Sequence, residues 1–270
     1  MLMLDALRGI AALAVVLLHV SGSPSIFDRG YLAVDFFYVL SGFVLTAVFE
    51  RPGTSDGAIL LLRRIARLWP MMAAGTLLSI VISIISGQPV TLTVVACGLL
   101  FLPIFLPGHP VFPLNDPQWS LLAELLANVA HVVALRRLPV RWLALIAIAA
   151  WCALNVVASI YGELTQGPFG ETWAIGLLRI AFGYTAGVIL ARTRQSWWHG
   201  FGARLPWCVA PLALLLALFG PAFVGVPARL ADPFVVLAFV PVVAAGARAQ
   251  PPGALCRGAA QIGQLSFPLL

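Results

Sequence analysis

Arg8 and His19 are separated by ten residues inside an otherwise apolar run at 4–22. In a helix, eleven steps of about 100° return to within about 20° of the start, so both side chains leave one face about 16 Å apart. An imidazole can move a proton or carry an acyl group, and a guanidinium can grip phosphate. Asp35, a few residues into the next apolar run, is placed to orient an imidazole and fix its tautomer. Ser41-Gly42 follow near the middle of that run, where small residues admit a close helix or a ligand. Trp119, Ser120 and Glu124 open a later run, with Ser120 and Glu124 four apart on one face. Arg179 lies about 9 Å into its own run and needs an acid or a wet cavity; Asp35 and Glu124 are the candidates. Arg63, Arg64 and Arg67 share a helix face and form a potential phosphate clamp.

Each of these residues also has a structural reading. Arg8 can be an interfacial anchor, His19 a hydrogen-bonded histidine, Trp119 an aromatic-belt residue and the Arg63 group a lipid-phosphate contact. Asp35 can sit in interfacial water. Together, however, His19, Asp35, Glu124 and Arg179 suggest a polar cavity inside an apolar bundle.

The elements that must position these residues follow from composition. Of 270 residues, 61% are hydrophobic and 10% charged, with a mean hydropathy of +1.00. That excludes disorder and argues against a soluble globule, in which about a quarter of residues are charged. Apolar runs occur near 4–22, 31–49, 70–86, 92–106, 118–135, 142–160, 173–191, 207–224 and 232–247, with a last one beginning near 259. The 4–22 run carries Asp5 beside Arg8 and lacks an A-x-A cleavage site, so it reads as a first membrane helix rather than a signal peptide. The expected fold is all-α: a polytopic transmembrane helix bundle of about nine spans plus a short re-entrant or surface segment near 92–106. One membrane domain fills 1–270, its last helix incomplete.

All sixteen basic residues are arginine, and the net charge is +6. Placing the N-terminus in the cytoplasm, with 92–106 not spanning, puts thirteen arginines inside. Arg29 and Arg229 then lie outside and Arg179 within a helix. A spanning 92–106 would put most of the loop arginines outside, against the positive-inside rule. Arg8 therefore lies towards the cytoplasmic end of its helix, with His19, Asp35 and Glu124 in the outer half. The basic balance is topological, and no clustered basic face points to nucleic acid.

Other chemistry is not evident. No His/Cys/Asp cluster suggests a metal, and no phosphate loop, dinucleotide fingerprint or nucleophile elbow is present. Cys97, Cys152, Cys208 and Cys256 are scattered and read as apolar filler. His109, His131 and His199 read as structural.

Several blocks resemble one family. LDALRGIAALAVVLLH (4–19), with its Arg-x10-His spacing, resembles the first helix of the acyltransferase 3 family of bacterial membrane proteins. GYLAVDFFYVLSGFVLT (30–46), RRIARLWP (63–70), WSLLAEL (119–125) and RIAFGYTAGV (179–188) are similar to its later blocks, in family order. The resemblance implies a multi-pass protein of the bacterial inner membrane with no bound cofactor. It would use acyl-CoA, typically acetyl-CoA, as cytoplasmic co-substrate. The acyl group would pass to a hydroxyl of a sugar, glycan or related acceptor on the extracytoplasmic side, as in polysaccharide O-acetylation. It further implies that Arg8 and His19 are catalytic, with His19 as general base or acyl relay. Arg8, Arg63, Arg64 and Arg67 would engage the donor phosphates. Ser41, Gly42 and Phe43 would shape the acyl path. Asp35, Glu124 and Arg179, with Trp119 and Ser120, would support the site.

IGQLSFPLL (262–270) resembles the start of the family's final block, with Phe267 in place of Tyr, and reads as a helix cut short. Two alternatives remain at this stage. One is a transporter or flippase of a polar or glycan substrate, against which the missing inverted repeats argue only mildly. The other is an inactive truncated remnant.

Overall fold

In the lipid interior a backbone amide has no water to bond, so an apolar chain must satisfy its own polar groups, and helices do so within one segment. The computed structural model describes residues 2–22, 25–50, 57–195, 206–249 and 261, and these are organised as helices. The helices are α1 (Leu2–Val20), α2 (Ala33–Phe49), α3 (Gly57–Ile85), α4 (Leu92–Leu100), α5 (Gln118–Val133), α6 (Val140–Tyr161), α7 (Trp173–Arg192), α8 (Val209–Phe223) and α9 (Ala228–Arg248). Among the described residues, six segments are long and apolar enough to cross a membrane: Leu2–Val20, Asp28–Phe49, Gly57–Ile85, Val140–Tyr161, Trp173–Arg192 and Ala228–Arg248. The chain is thus a multi-pass membrane protein. Helix α5 has 16 residues and α8 has 15. At 1.5 Å per residue both fall short of a hydrocarbon core of about 30 Å. Expectations at Arg51, His199, Arg204, Cys256, Arg257 and Phe267 lie outside the described residues.

The chain forms two compact units. The first comprises Met1–Pro52, Arg136–Thr165 and Leu178–Phe267. Here α9 packs on α1, α2, α6 and α8, and a 3-10 turn at Asp28–Leu32 packs on α1, α8 and α9. Helices α2 and α7 meet at bare backbone. A Cβ on Gly42 would overlap the Tyr184 carbonyl, and one on Gly187 would overlap the Val39 carbonyl. Gly183, a turn before Gly187, lies against the Tyr38 Cβ. Without a hydrophobic drive inside lipid, such small-residue contacts are what bring two helices close.

The second unit comprises Gly53–Leu135, Gln166–Leu177 and Pro268–Leu270. Its α3 packs on α4 and α5. Helix α3 starts at Gly57, well before the apolar run at 70, so the arginines of 63–67 lie within the helix rather than in a loop.

The segment expected to be re-entrant or superficial is a short helix followed by irregular chain. Helix α4 has nine residues, about 14 Å, too short to span. Thr91 caps it by accepting the Val94 amide, and Phe101 ends it at φ 58. A left-handed conformation is uncommon for a non-glycine residue. The Phe101 ring stacks on Phe112 at 5.4 Å. Beyond it, the backbone is satisfied by protein: Ile104 donates to Val111 at 2.9 Å, and Val111 donates to Pro168 at 2.8 Å. The Gln118 side chain donates to Thr76 and to the Gly98 carbonyl, both at 3.2 Å, and Asn115 donates to Met72 at 3.3 Å. Irregular backbone at membrane depth would require such cover.

Candidate active site

Helix α1 carries Arg8 and His19 as one continuous rod, which keeps their expected axial separation of about 16 Å. Arg8 is 3% exposed and lies 3.4 Å from Asp5, one turn earlier. His19 is exposed, and its Nδ1 is 2.8 Å from the Val15 carbonyl. A carbonyl oxygen only accepts, so Nδ1 bears the hydrogen, and in the neutral imidazole Nε2 is then the nitrogen with the lone pair. An imidazole in this tautomer presents a base at Nε2. The expected orienting partner, Asp35, is engaged elsewhere; the helix's own backbone fixes the tautomer.

Asp35 and Arg179 are 0% and 1% exposed. Arg179 Nε donates to Oδ1 of Asp35 at 3.1 Å, and Nη2 donates to Oδ2 at 2.6 Å, a bidentate fork. Nη2 also donates to the Tyr31 carbonyl at 3.1 Å. Of the two acids the sequence offered to Arg179, Asp35 is the partner. The pair fills its own space, so these two residues do not line an open polar cavity.

Glu124 belongs to the second unit and pairs with Arg64, whose Nη2 donates at 2.5 Å; the side chains are 8% and 7% exposed. Arg64 is thereby turned away from Arg63 and Arg67, which are both exposed. The expected three-arginine face is split, because a buried guanidinium needs a carboxylate more than it needs its neighbours. Asn128 and His131, both 0% exposed, continue the Glu124 side of α5 at helical spacing.

The remaining predicted residues have packing environments. Trp119 is 5% exposed, and its ring lies where Gly167 and Gly176 leave no Cβ. The Ser120 hydroxyl donates to the Pro117 carbonyl at 2.9 Å in the first turn of α5. Ser41 and Phe43 are 2% and 3% exposed. Gly42 is occupied by the backbone of α7 and has no room for a ligand at its α-carbon.

Sequence reasoning missed a second buried network in the first unit. The Tyr31 hydroxyl donates to Asp232 at 2.6 Å, and the Leu164 amide donates to the same oxygen at 3.0 Å. Arg29 lies 3.8 Å from the other Asp232 oxygen and donates to the Val226 carbonyl. Tyr31 therefore joins two ion pairs, through its carbonyl to Arg179 and through its hydroxyl to Asp232. Arg29, placed on the outer side by the arginine count, is 9% exposed, and Asp232 is 0%. The available signal was an acid at the head of the 232–247 run. Near the other end of α2 and α7, Arg192 grips Glu50, with Nη2 donating at 2.5 Å.

Comparison with known proteins bears on what this arrangement does. The family Acyl_transf_3, described as an acyltransferase domain, matches residues 2–268. "Protein 2 in picA locus" of Rhizobium radiobacter is 32% identical over 155 residues, which is 48% of this chain and 80% of that protein. "Acyltransferase MdmB" of Streptomyces mycarofaciens is 25% identical over 257 residues, which is 80% of this chain and 62% of that protein. The chain thus spans less than two thirds of the length of that acyltransferase. No solved structure matches.

Proposed function

This chain belongs to the Acyl_transf_3 family of acyltransferase domains, and from that premise we propose that it is a membrane O-acyltransferase. It moves an acyl group, acetyl in the simplest case, from cytoplasmic acyl-CoA to a hydroxyl of a sugar, glycan or related acceptor at the extracytoplasmic side. The bilayer is the bacterial inner membrane, with the N-terminus in the cytoplasm, as the arginine distribution favours.

The observation that carries the reading is His19. It is exposed, and its Nδ1–H is committed to Val15, so Nε2 is the open base. Nε2 takes the proton of the acceptor hydroxyl as the oxygen attacks the thioester carbonyl carbon. The C–S bond breaks, the CoA thiolate leaves, and the imidazolium returns its proton to the sulfur. Ester and CoA thiol are the products, and His19 ends neutral. Asp35 and Arg179 act as positioning residues: their fork holds α2 to α7 and pairs the two buried charges with each other. At the opposite end of α1, Arg8 supplies a cation for the donor's phosphates. On the second unit, exposed Arg63 and Arg67 offer guanidinium groups to phosphate, while Glu124 holds Arg64.

The test compares CoA release and acceptor acylation in membranes bearing the wild-type chain, His19→Ala and Arg8→Ala. Acylation that depends on His19 supports the reading. Substrate flux without CoA release would replace it with transport.

A further inference from the structure

Arg29 and Asp232 face each other at 3.8 Å, too far for a hydrogen bond. Arg29 Nη1 and Asp232 Oδ1 are both buried without a hydrogen-bond partner. The far sides of both groups are fixed. Asp232 Oδ2 takes the Tyr31 hydroxyl and the Leu164 amide, and Arg29 Nη2 donates to Val226. The pair is held rigidly from behind while its facing atoms stay unmade. A buried charged donor and acceptor left this way are costly, so a group that satisfies both binds favourably.

The donor and acceptor inventory identifies that group. It must accept from a guanidinium and donate to a carboxylate. A hydroxyl does both through one oxygen. A fully ionised phosphate or a carboxylate has no proton to give, an ammonium has no lone pair, and an apolar group has neither.

The location is the His19 end of α1. Arg29 and Tyr31 belong to the Asp28–Leu32 turn, whose Gly30 lies against the Ala14 carbonyl and the Leu18 Cβ. His19 is the next residue. Further polar groups lie near in the chain. Glu163, beside Leu164, accepts from Thr165 at 2.9 Å, and Ser25 donates to Ser21 at 3.1 Å. The Arg29 side chain is 10% exposed, whereas the Asp232 side chain is fully buried.

We infer that Arg29 and Asp232 form a subsite for a hydroxyl of a polyhydroxylated, carbohydrate-type acceptor. The inference rests on the acyltransferase reading above. The bound hydroxyl orients the acceptor so that a neighbouring hydroxyl reaches His19.

The test uses the full chain in membranes of a host strain lacking it. Labelled acetyl-CoA is the donor, and envelope glycan extract of that strain is titrated as acceptor. Asp232→Asn and Arg29→Met are expected to raise the half-saturating amount of extract at least about tenfold, the loss typical of a hydrogen bond to a charged group. The half-saturating acetyl-CoA concentration stays within about twofold, since no donor group is lost. Arg29→Lys, which keeps the charge but not the fork, falls between; it carries the comparison if Asp232→Asn accumulates poorly. Both constants moving together, or neither moving, overturns the inference. CoA release with no label on any hydroxyl of the extract also overturns it alone. A wild-type chain that neither releases CoA nor labels extract overturns the acyltransferase reading itself.

Discussion

Tyr31 accepts a hydrogen bond from Arg179 through its carbonyl at 3.1 Å and gives one to Asp232 through its hydroxyl at 2.6 Å. One residue, in the turn after α1, thus ties together Asp35, Arg179 and Asp232, which come from α2, α7 and α9. Asp35, Arg179 and Asp232 are thereby held as a connected set rather than as separate groups.

Neutralising one member of the Asp35–Arg179 fork leaves the other charge buried and alone. Asp35→Asn and Arg179→Met should each cost about 3–5 kcal/mol, whereas the double variant should recover part of that loss. Thermal unfolding in detergent, run as a double-mutant cycle, reads the coupling. Additive losses would mean that the fork contributes nothing specific.

The Arg64–Glu124 pair predicts the same pattern in the second unit. Glu124→Gln should reduce accumulation in the membrane more than Glu124→Gln combined with Arg64→Gln, because the single change strands a guanidinium that is 7% exposed. Quantitative immunoblotting of membrane fractions checks the order. Equal accumulation of the two variants would speak against it.

His19 is exposed, and among the described residues its side chain bonds only to the backbone of its own helix, so its removal should spare the fold. His19→Ala should lower acyl transfer by about a hundredfold or more while the melting temperature stays within about 2 °C. An active His19→Ala would remove the histidine from the chemistry.

Gly42→Ala pushes a methyl into the Tyr184 carbonyl and should cost at least about 1–3 kcal/mol, as overpacking does. Gly22→Ala, where a Cβ meets nothing within 4 Å, serves as the control and should stay close to wild type. Comparable melting temperatures for the two would refute the close α2–α7 contact.

Much of this was legible from residue order alone. Apolar runs fix a membrane helix class because lipid leaves the backbone no other way to bond. The spacing of Arg8 and His19 survives because both lie on one rigid helix. Helical periodicity states which residues of one helix share a face, and the small pair Ser41-Gly42 marks where another helix can come close. It does not state which helix arrives, at what rotation, or at what depth. Those choices were made in three dimensions. Asp35, not Glu124, took Arg179, and Glu124 took Arg64 out of the arginine face. Arg29 and Asp232, some two hundred positions apart, became a buried pair. Inside lipid each unpaired charge costs several kcal/mol, so every arginine brought inside is drawn to a carboxylate within reach. Reach is a property of packed helices, and only the tertiary structure supplies it.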